Sequence, residues 1–318
     1  MDIPDRRRRG TQRSRDVGRS IKNNRSTTVN QRNSAAPAIT TGKIRLSHGM
    51  MTFLECGSGR PVVFLHGLQG GAQSWMPQLA ALSDRFRVIA WDAPGYGGSD
   101  PVAGSIDDFA TAALEFITAR LSEPAAVVGH SLGGVITLRM ASLQPQALSR
   151  IVLSCTHPGH GRQPDAGVSG RYSRRMEELA TLPRDEYGRR RARGMLPDDA
   201  PAQAVEAVAR IASVVRPEGV AAAIRAIESA DLRPHLATID LPALVVTCER
   251  DRVVSPERVS PLLELLPDVR HVQLPGLGHA PYYENPERYN AGIMPFLLEE
   301  QSALYQHARP YDEKPLSS

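Results

Sequence analysis

Apolar residues follow two rhythms along this chain. Short unbroken runs occur at residues 62–65 (Val-Val-Phe-Leu), 87–91, 125–128 (Ala-Ala-Val-Val), 151–155 and 243–248. Runs without polar alternation suit strands covered on both faces, which is the condition of a parallel sheet. Between them, residues 73–82, 106–121 and the stretch from Val135 space their apolar side chains as helices do. Residues 43–47 and 51–55 read as an opening antiparallel pair. The alternation stops at residue 157, and from there to 232 the pattern is helical with no convincing strand. Strands resume at 243–248 and 269–274, and an amphipathic helix follows over 287–299. The pattern predicts an α/β fold: a mostly parallel central sheet, helices on both faces, and a helical lid inserted between two strands. The expected division is a basic tail at 1–40, a core at 41–156 and 233–301, a cap at 157–232 and a C-terminal tail at 302–318. No internal repeat is visible.

Composition narrows this picture. A chain of 318 residues can bury the core of one large domain with an insertion. Its 41% hydrophobic and 23% charged residues are ordinary for a globular protein. The formal charge of +4 is unevenly spread: residues 1–35 hold nine Arg and one Lys against three Asp, a net of +7, which leaves −3 for the rest. The body therefore gives no argument for nucleic-acid binding, and the expected partner is a small molecule. The tail lacks large apolar residues and is expected to be disordered to about Thr40. Arg6-Arg7-Arg8-Arg9 is not followed by the apolar segment of an export signal, so a solvated extension is preferred over contact with RNA or lipid. No apolar stretch reaches the roughly 20 residues of a bilayer span, and no membrane partner is expected. Cys56, Cys155 and Cys248 are odd in number, far apart, and without zinc or redox spacing. Cys155 and Cys248 end apolar runs and read as small core residues. A reducing, cytoplasmic setting is expected.

The chemistry concentrates in Gly129-His130-Ser131-Leu132-Gly133-Gly134, which joins a predicted strand to a predicted helix. A G-x-S-x-G turn of this kind lifts the serine hydroxyl out of the sheet at a helix N-terminus. Serine is a weak nucleophile and needs a base that is itself oriented by an acid. Candidates for both follow later strands: Glu249 and Asp251 after the 243–248 run, and His279 after 269–274. His66-Gly67-Leu68-Gln69-Gly70-Gly71 follows the 62–65 run, and the N–H groups of Leu68 and Leu132 are the expected oxyanion hole. His130 reads as a packing residue, and His66 as a tie within its own loop. His157 and His160 start the cap and read as a plain loop more readily than as pocket wall. Trp75 either faces an acyl pocket or covers the first helix. The cap carries Arg171, Arg174, Arg175, Arg184, Arg189, Arg190, Arg191 and Arg193. One of these is a candidate clamp for a substrate carboxylate, and most belong on a solvated face.

At these residues the chain resembles the α/β-hydrolase superfamily, in particular its serine esterases and lactonases, and is similar to the enol-lactone hydrolases. The matching segments are FLHGLQGG, WDAPGYGGSD, VVGHSLGG, CERDRVVSP and LPGLGHAPYYENPE, in family order over about residues 62–287. The resemblance implies Ser131 as nucleophile, His279 as general base and acid, and Asp251, rather than Glu249, as the orienting acid. It implies an enzyme that cleaves a carboxylic ester or lactone through an acyl-enzyme, with no metal and no organic cofactor. Asp92 to Ser99 resembles a loop that shapes the fold without direct chemistry. Three alternatives share the triad. A C–C bond hydrolase of aromatic breakdown would usually show Asn where His130 stands; a perhydrolase would use peroxide; a receptor would bind without turnover. Epoxide hydrolases and dehalogenases are disfavoured because the elbow residue is serine, not aspartate.

Overall fold

The computed structural model describes residues 38–299, so residues 1–37 of the expected basic tail and all of the expected C-terminal tail lie outside the described residues, and Thr40 already belongs to the first strand. Eight described strands make one sheet: β1 (Thr40–Leu46), β2 (Gly49–Cys56), β3 (Pro61–Leu65), β4 (Arg87–Trp91), β5 (Ala125–His130), β6 (Leu148–Ser154), β7 (Ala243–Cys248) and β8 (Val269–Leu274). Their order is β1-β2-β4-β3-β5-β6-β7-β8. The β1–β2 and β2–β4 pairs are antiparallel, and every later pairing is parallel. The six strands from β3 to β8 therefore end on one edge of the sheet. Strand order reverses between β3 and β5, the place where open α/β sheets gather their chemistry.

Both faces of the sheet are covered, as the unbroken apolar runs require. Along β3, Val62 and Phe64 enter one core while Val63 and Leu65 enter the other. The first core also holds Trp75 and Tyr289, and the second holds Trp91 and Phe109, all fully buried. Each such side chain contributes about 1.5–3 kcal/mol by leaving water. β8 lies at the sheet edge, and there Arg270, His271 and Gln273 are exposed.

The core helices before the cap are α1 (Met76–Leu82), α2 (Ile106–Arg120) and α3 (Leu132–Leu143). α2 starts at a capping box: Ser105 Oγ accepts the Asp108 N–H at 3.1 Å, and the Asp108 carboxylate accepts the Ser105 N–H at 2.8 Å. Two boundaries differ from the sequence expectation. The helix expected over 73–82 begins instead as a 3-10 turn, Ala72–Trp75. Pro77 has no N–H to offer the Gln73 carbonyl, which accepts from Tyr283 Oη at 2.9 Å. α3 begins at Leu132, three residues before Val135, because packing overrides the poor helix propensity of Gly133 and Gly134.

The cap comprises α4 (Gly170–Thr181), α5 (Arg184–Met195), α6 (Ala202–Ser213) and α7 (Pro217–Ser229). Its two ends meet in a single antiparallel bridge, Gly159 to Asp231, reinforced by Leu232 N–H to the Pro158 carbonyl at 2.8 Å. The chain then adds α8 (Arg233–Leu236), α9 (Pro256–Leu265), α10 (Pro281–Glu284) and α11 (Pro286–Leu298). No helix among the described residues is long and apolar enough to cross a membrane.

Candidate active site

Ser131 occupies the turn between β5 and α3 with φ 52° and ψ −112°, a conformation that L-residues avoid. Such strain costs about 1–3 kcal/mol and persists only where the surroundings impose it. Here the Ser131 N–H donates to the Ser154 carbonyl at 2.9 Å, and its own carbonyl accepts from Thr156 Oγ1 at 2.6 Å. The turn leaves no room for side chains on either flank. A Cβ on Gly129 would lie 2.4 Å from the Gly133 carbonyl oxygen, and one on Gly133 would lie 2.1 Å from that of Leu65.

His279 follows β8 and is 3% exposed. Its Nδ1 lies 2.8 Å from Asp251 Oδ2, and both side chains are nearly closed to water. The other Asp251 oxygen accepts the N–H groups of Val253 at 2.7 Å and Val254 at 3.0 Å. Burial opposes charge on this carboxyl, but the imidazole of His279 and the two N–H donors outweigh it and hold the group below the usual carboxylate range. With an ionised acceptor on that side, the His279 Nδ1 carries the proton and Nε2 is left with a free lone pair. Glu249 does not compete. It is exposed, and its carboxylate accepts the Gly276 N–H at 2.7 Å. Ser131, His279 and Leu68 line one cavity of about 100 Å³. Leu132 is the first residue of α3, so its N–H has no intrahelical acceptor.

Residues 62–291 match the profile of the alpha/beta hydrolase family. The chain is 30% identical over 256 residues to the "Putative carbamate hydrolase RutD" of Yersinia enterocolitica, covering 76% of this chain and 88% of that protein. It is 31% identical over 252 residues to the pimeloyl-acyl-carrier-protein methyl ester esterase of Edwardsiella ictaluri, covering 76% and 95%. The chain belongs to the alpha/beta hydrolase family. A solved enol-lactonase from Burkholderia xenovorans LB400 shares the fold of this hydrolase, with a TM-score of 0.72 over 81% of this chain and all of that one, at 23% identity.

Several residues that shape the hydrolase site are not singled out by the sequence, although Tyr96 and Glu284 lie inside segments that carry the family resemblance. Tyr96 Oη donates to the Leu68 carbonyl at 3.0 Å and holds the loop after β3. The buried Glu284 accepts the Gly278 N–H at 2.7 Å, and the His279 N–H donates to the Met195 carbonyl at 2.7 Å, so α10 and the end of cap helix α5 both position the histidine loop. His66 is the tie expected of it. Its Nε2 accepts the Ala93 N–H at 3.0 Å, which leaves Nδ1 to donate to the Gly67 carbonyl at 2.8 Å. The Asp92 carboxylate accepts from Ala72 N–H and Thr52 Oγ1, anchoring the loop the sequence marked as structural.

The remaining candidates resolve on contacts. His130 is buried with its ring centroid 4.8 Å from that of His279 and 4.9 Å from that of Tyr282, and burial keeps it neutral. Trp75 packs in the core, 4.8 Å between centroids from both Phe64 and Tyr282. His157 and His160 stack on each other at 4.8 Å outside the cavity. Burial lowers them to about 3 and about 4. Of the cap arginines, Arg171, Arg175 and Arg191 line the cavity. Cys155 Sγ lies within 4.8 Å of ligand atoms on Asp251 and His279. Those two are spent on each other, and Cys155, in contact with Cys248 Sγ at 3.6 Å, has its thiol pushed well up by that contact and by burial. A protonated thiol is a poor metal ligand.

Proposed function

We propose that this protein is a serine hydrolase that cleaves a small carboxylic ester or lactone through an acyl-enzyme. The observation that carries this reading is the buried Asp251–His279 hydrogen bond at 2.8 Å beside a cavity that His279 shares with the strained Ser131. Asp251, held ionised, keeps the His279 proton on Nδ1, so Nε2 is the basic nitrogen. Nε2 takes the Ser131 proton as Oγ attacks the acyl carbonyl. The tetrahedral oxyanion is received by the N–H groups of Leu68 and Leu132. His279, now protonated, gives its proton to the leaving alcohol, and a water activated by the same Nε2 releases the acid. The names of the two relatives, one a carbamate hydrolase and one a methyl ester esterase, both describe acyl transfer to water and support the reaction class.

Turnover of short-chain p-nitrophenyl esters by the wild type and by Ser131→Ala tests the reading. Saturable hydrolysis by the wild type, with the variant at background, is the expected result. Equal rates in the two proteins contradict it and favour a receptor that binds without turnover.

A further inference from the structure

The wall of the cavity supplied by the cap is positively charged. Arg171 and Arg175 reach it from α4 and Arg191 from α5. Two buried carboxylates act on this group, Glu178 and, through its charge on Arg171, Glu228. Glu178 lies 3.0 Å from Arg191, 3.1 Å from Arg190 and 3.7 Å from Arg175. Arg171 makes no ion pair among the described residues, so positive charge is in excess beside Ser131. Burial and the neighbouring Arg175 charge both lower the Arg171 and Arg191 guanidinium pKa values. A bound anion relieves that crowding.

Two hydrogen-bond donors at the cavity point the same way, one on the loop after β3 and one on the cap. Gln69, 9% exposed, receives the Tyr187 hydroxyl proton on Oε1 at 2.7 Å, which commits its amide orientation. Its Nε2 is buried and has no acceptor among the described residues. Arg191 Nε is in the same condition, with its guanidinium lying over the Tyr187 ring at 5.4 Å. Buried donors without acceptors are costly, and these two, closed to water as they stand, gain a partner only if the side chains turn towards the cavity when an anion enters. A cavity of about 100 Å³ is small beside ordinary ligand pockets and admits only a short molecule. A planar carboxylate fits a guanidinium fork and an amide N–H at that scale.

We propose that this wall is a carboxylate subsite, and that the substrate is a short ester or lactone carrying a second, free carboxylate on its acyl part. The inference rests on the hydrolytic reading above. The acyl part is assigned to the cavity because it stays attached to Ser131 after the alcohol has left. Arg175, Arg191 and Gln69 are then specificity-determining residues, acting on the end of the acyl chain remote from the reacting carbonyl.

The test uses monomethyl glutarate and its neutral analogue methyl valerate as substrates, and glutarate as a ligand of Ser131→Ala. The wild type is expected to favour the anionic ester by about tenfold or more in kcat/KM. The ratio collapses towards one in Arg191→Gln and in Arg175→Gln, through KM more than kcat, and Arg191→Lys recovers part of it. Glutarate is expected to raise the Tm of Ser131→Ala, and to do so less when Arg191→Gln is added. Equal kcat/KM values for the two esters overturn the subsite, as does a Ser131→Ala protein whose Tm ignores glutarate. Hydrolysis of neither ester, with the glutarate response intact, overturns the hydrolytic reading and leaves the anion site standing.

Discussion

The two walls of the cavity are built on opposite principles. On the sheet side, Ser131, Asp251 and His279 are over-determined, while both ring nitrogens of the adjoining His130 are buried without a hydrogen-bond partner among the described residues. Ser131 is clamped by the ends of β5 and β6, Asp251 has three hydrogen-bond donors arranged around it, and His279 is held by Glu284 and Met195 on either side of its loop. The cap side is under-compensated, with Glu178 shared among three arginines and the buried Arg191 Nε unpaired among the described residues. Rigid satisfaction suits groups that must move protons along a fixed line. Unspent charge suits a surface that selects what enters. On the proposed function, reaction is held by the sheet side and selectivity chiefly by the cap.

The largest effect expected to sharpen that contrast is at Asp251. Asp251→Asn should lower kcat by roughly 10³–10⁴ while Glu249→Gln changes it by no more than about twofold. A severe loss at Glu249 would move the orienting acid to the wrong residue. On the cap, Glu178→Gln should destabilise the fold by about 1–3 kcal/mol in urea unfolding, since three guanidiniums lose their shared counterion. Its fall in kcat should stay at least tenfold smaller than that of Asp251→Asn. Equal losses in kcat would merge the two walls into one catalytic unit.

The cap neck provides a pH contrast. His157 and His160 titrate at about 3 and about 4 in the fold, below an unfolded value near 6.5. Their neutral burial therefore stabilises the protein above the unfolded value and is lost as pH falls from about 6.5 towards 4. Unfolding followed across that range should show a steeper acid decline in the wild type than in His157→Gln. Parallel profiles would mean that the stacked pair is not what resists protonation. The smallest effect belongs to the exposed Arg189–Asp185 pair, where Asp185→Ala should leave the urea unfolding midpoint unchanged within error.

The sheet wall was legible in the sequence and the cap wall was not, for a physical reason. Gly129 and Gly133 announce the elbow because backbone passes where a Cβ would sit, and such steric demands leave few residue choices. The unbroken runs of β3, β5 and β7 likewise disclose a sheet buried on both faces, and the loops after them follow from it. The cap arginines fall on inner and outer helix faces alike. In α4, Arg175 sits on the apolar stripe of Tyr172, Met176 and Leu179, a sign of its inward face, whereas α5 is too polar for periodicity to separate Arg191, which lines the cavity, from Arg189, which faces water. Tyr96 and Thr156 act through single hydrogen bonds to backbone more than twenty residues away, a relation that no local pattern encodes, while Glu284 reaches Gly278 only six residues back. The apolar spacing of α3 becomes visible only from Val135, because Gly133 and Gly134 carry no side chain to mark a face, whereas the helix itself begins at Leu132.

The most direct test of the account is intact-mass analysis after treatment with a fluorophosphonate, with peptide mapping of the adduct. The account expects one adduct per chain, on Ser131, absent from Ser131→Ala and strongly slowed in Asp251→Asn. A folded wild type that takes no label, or takes it on another residue, would contradict an activated nucleophile at the elbow.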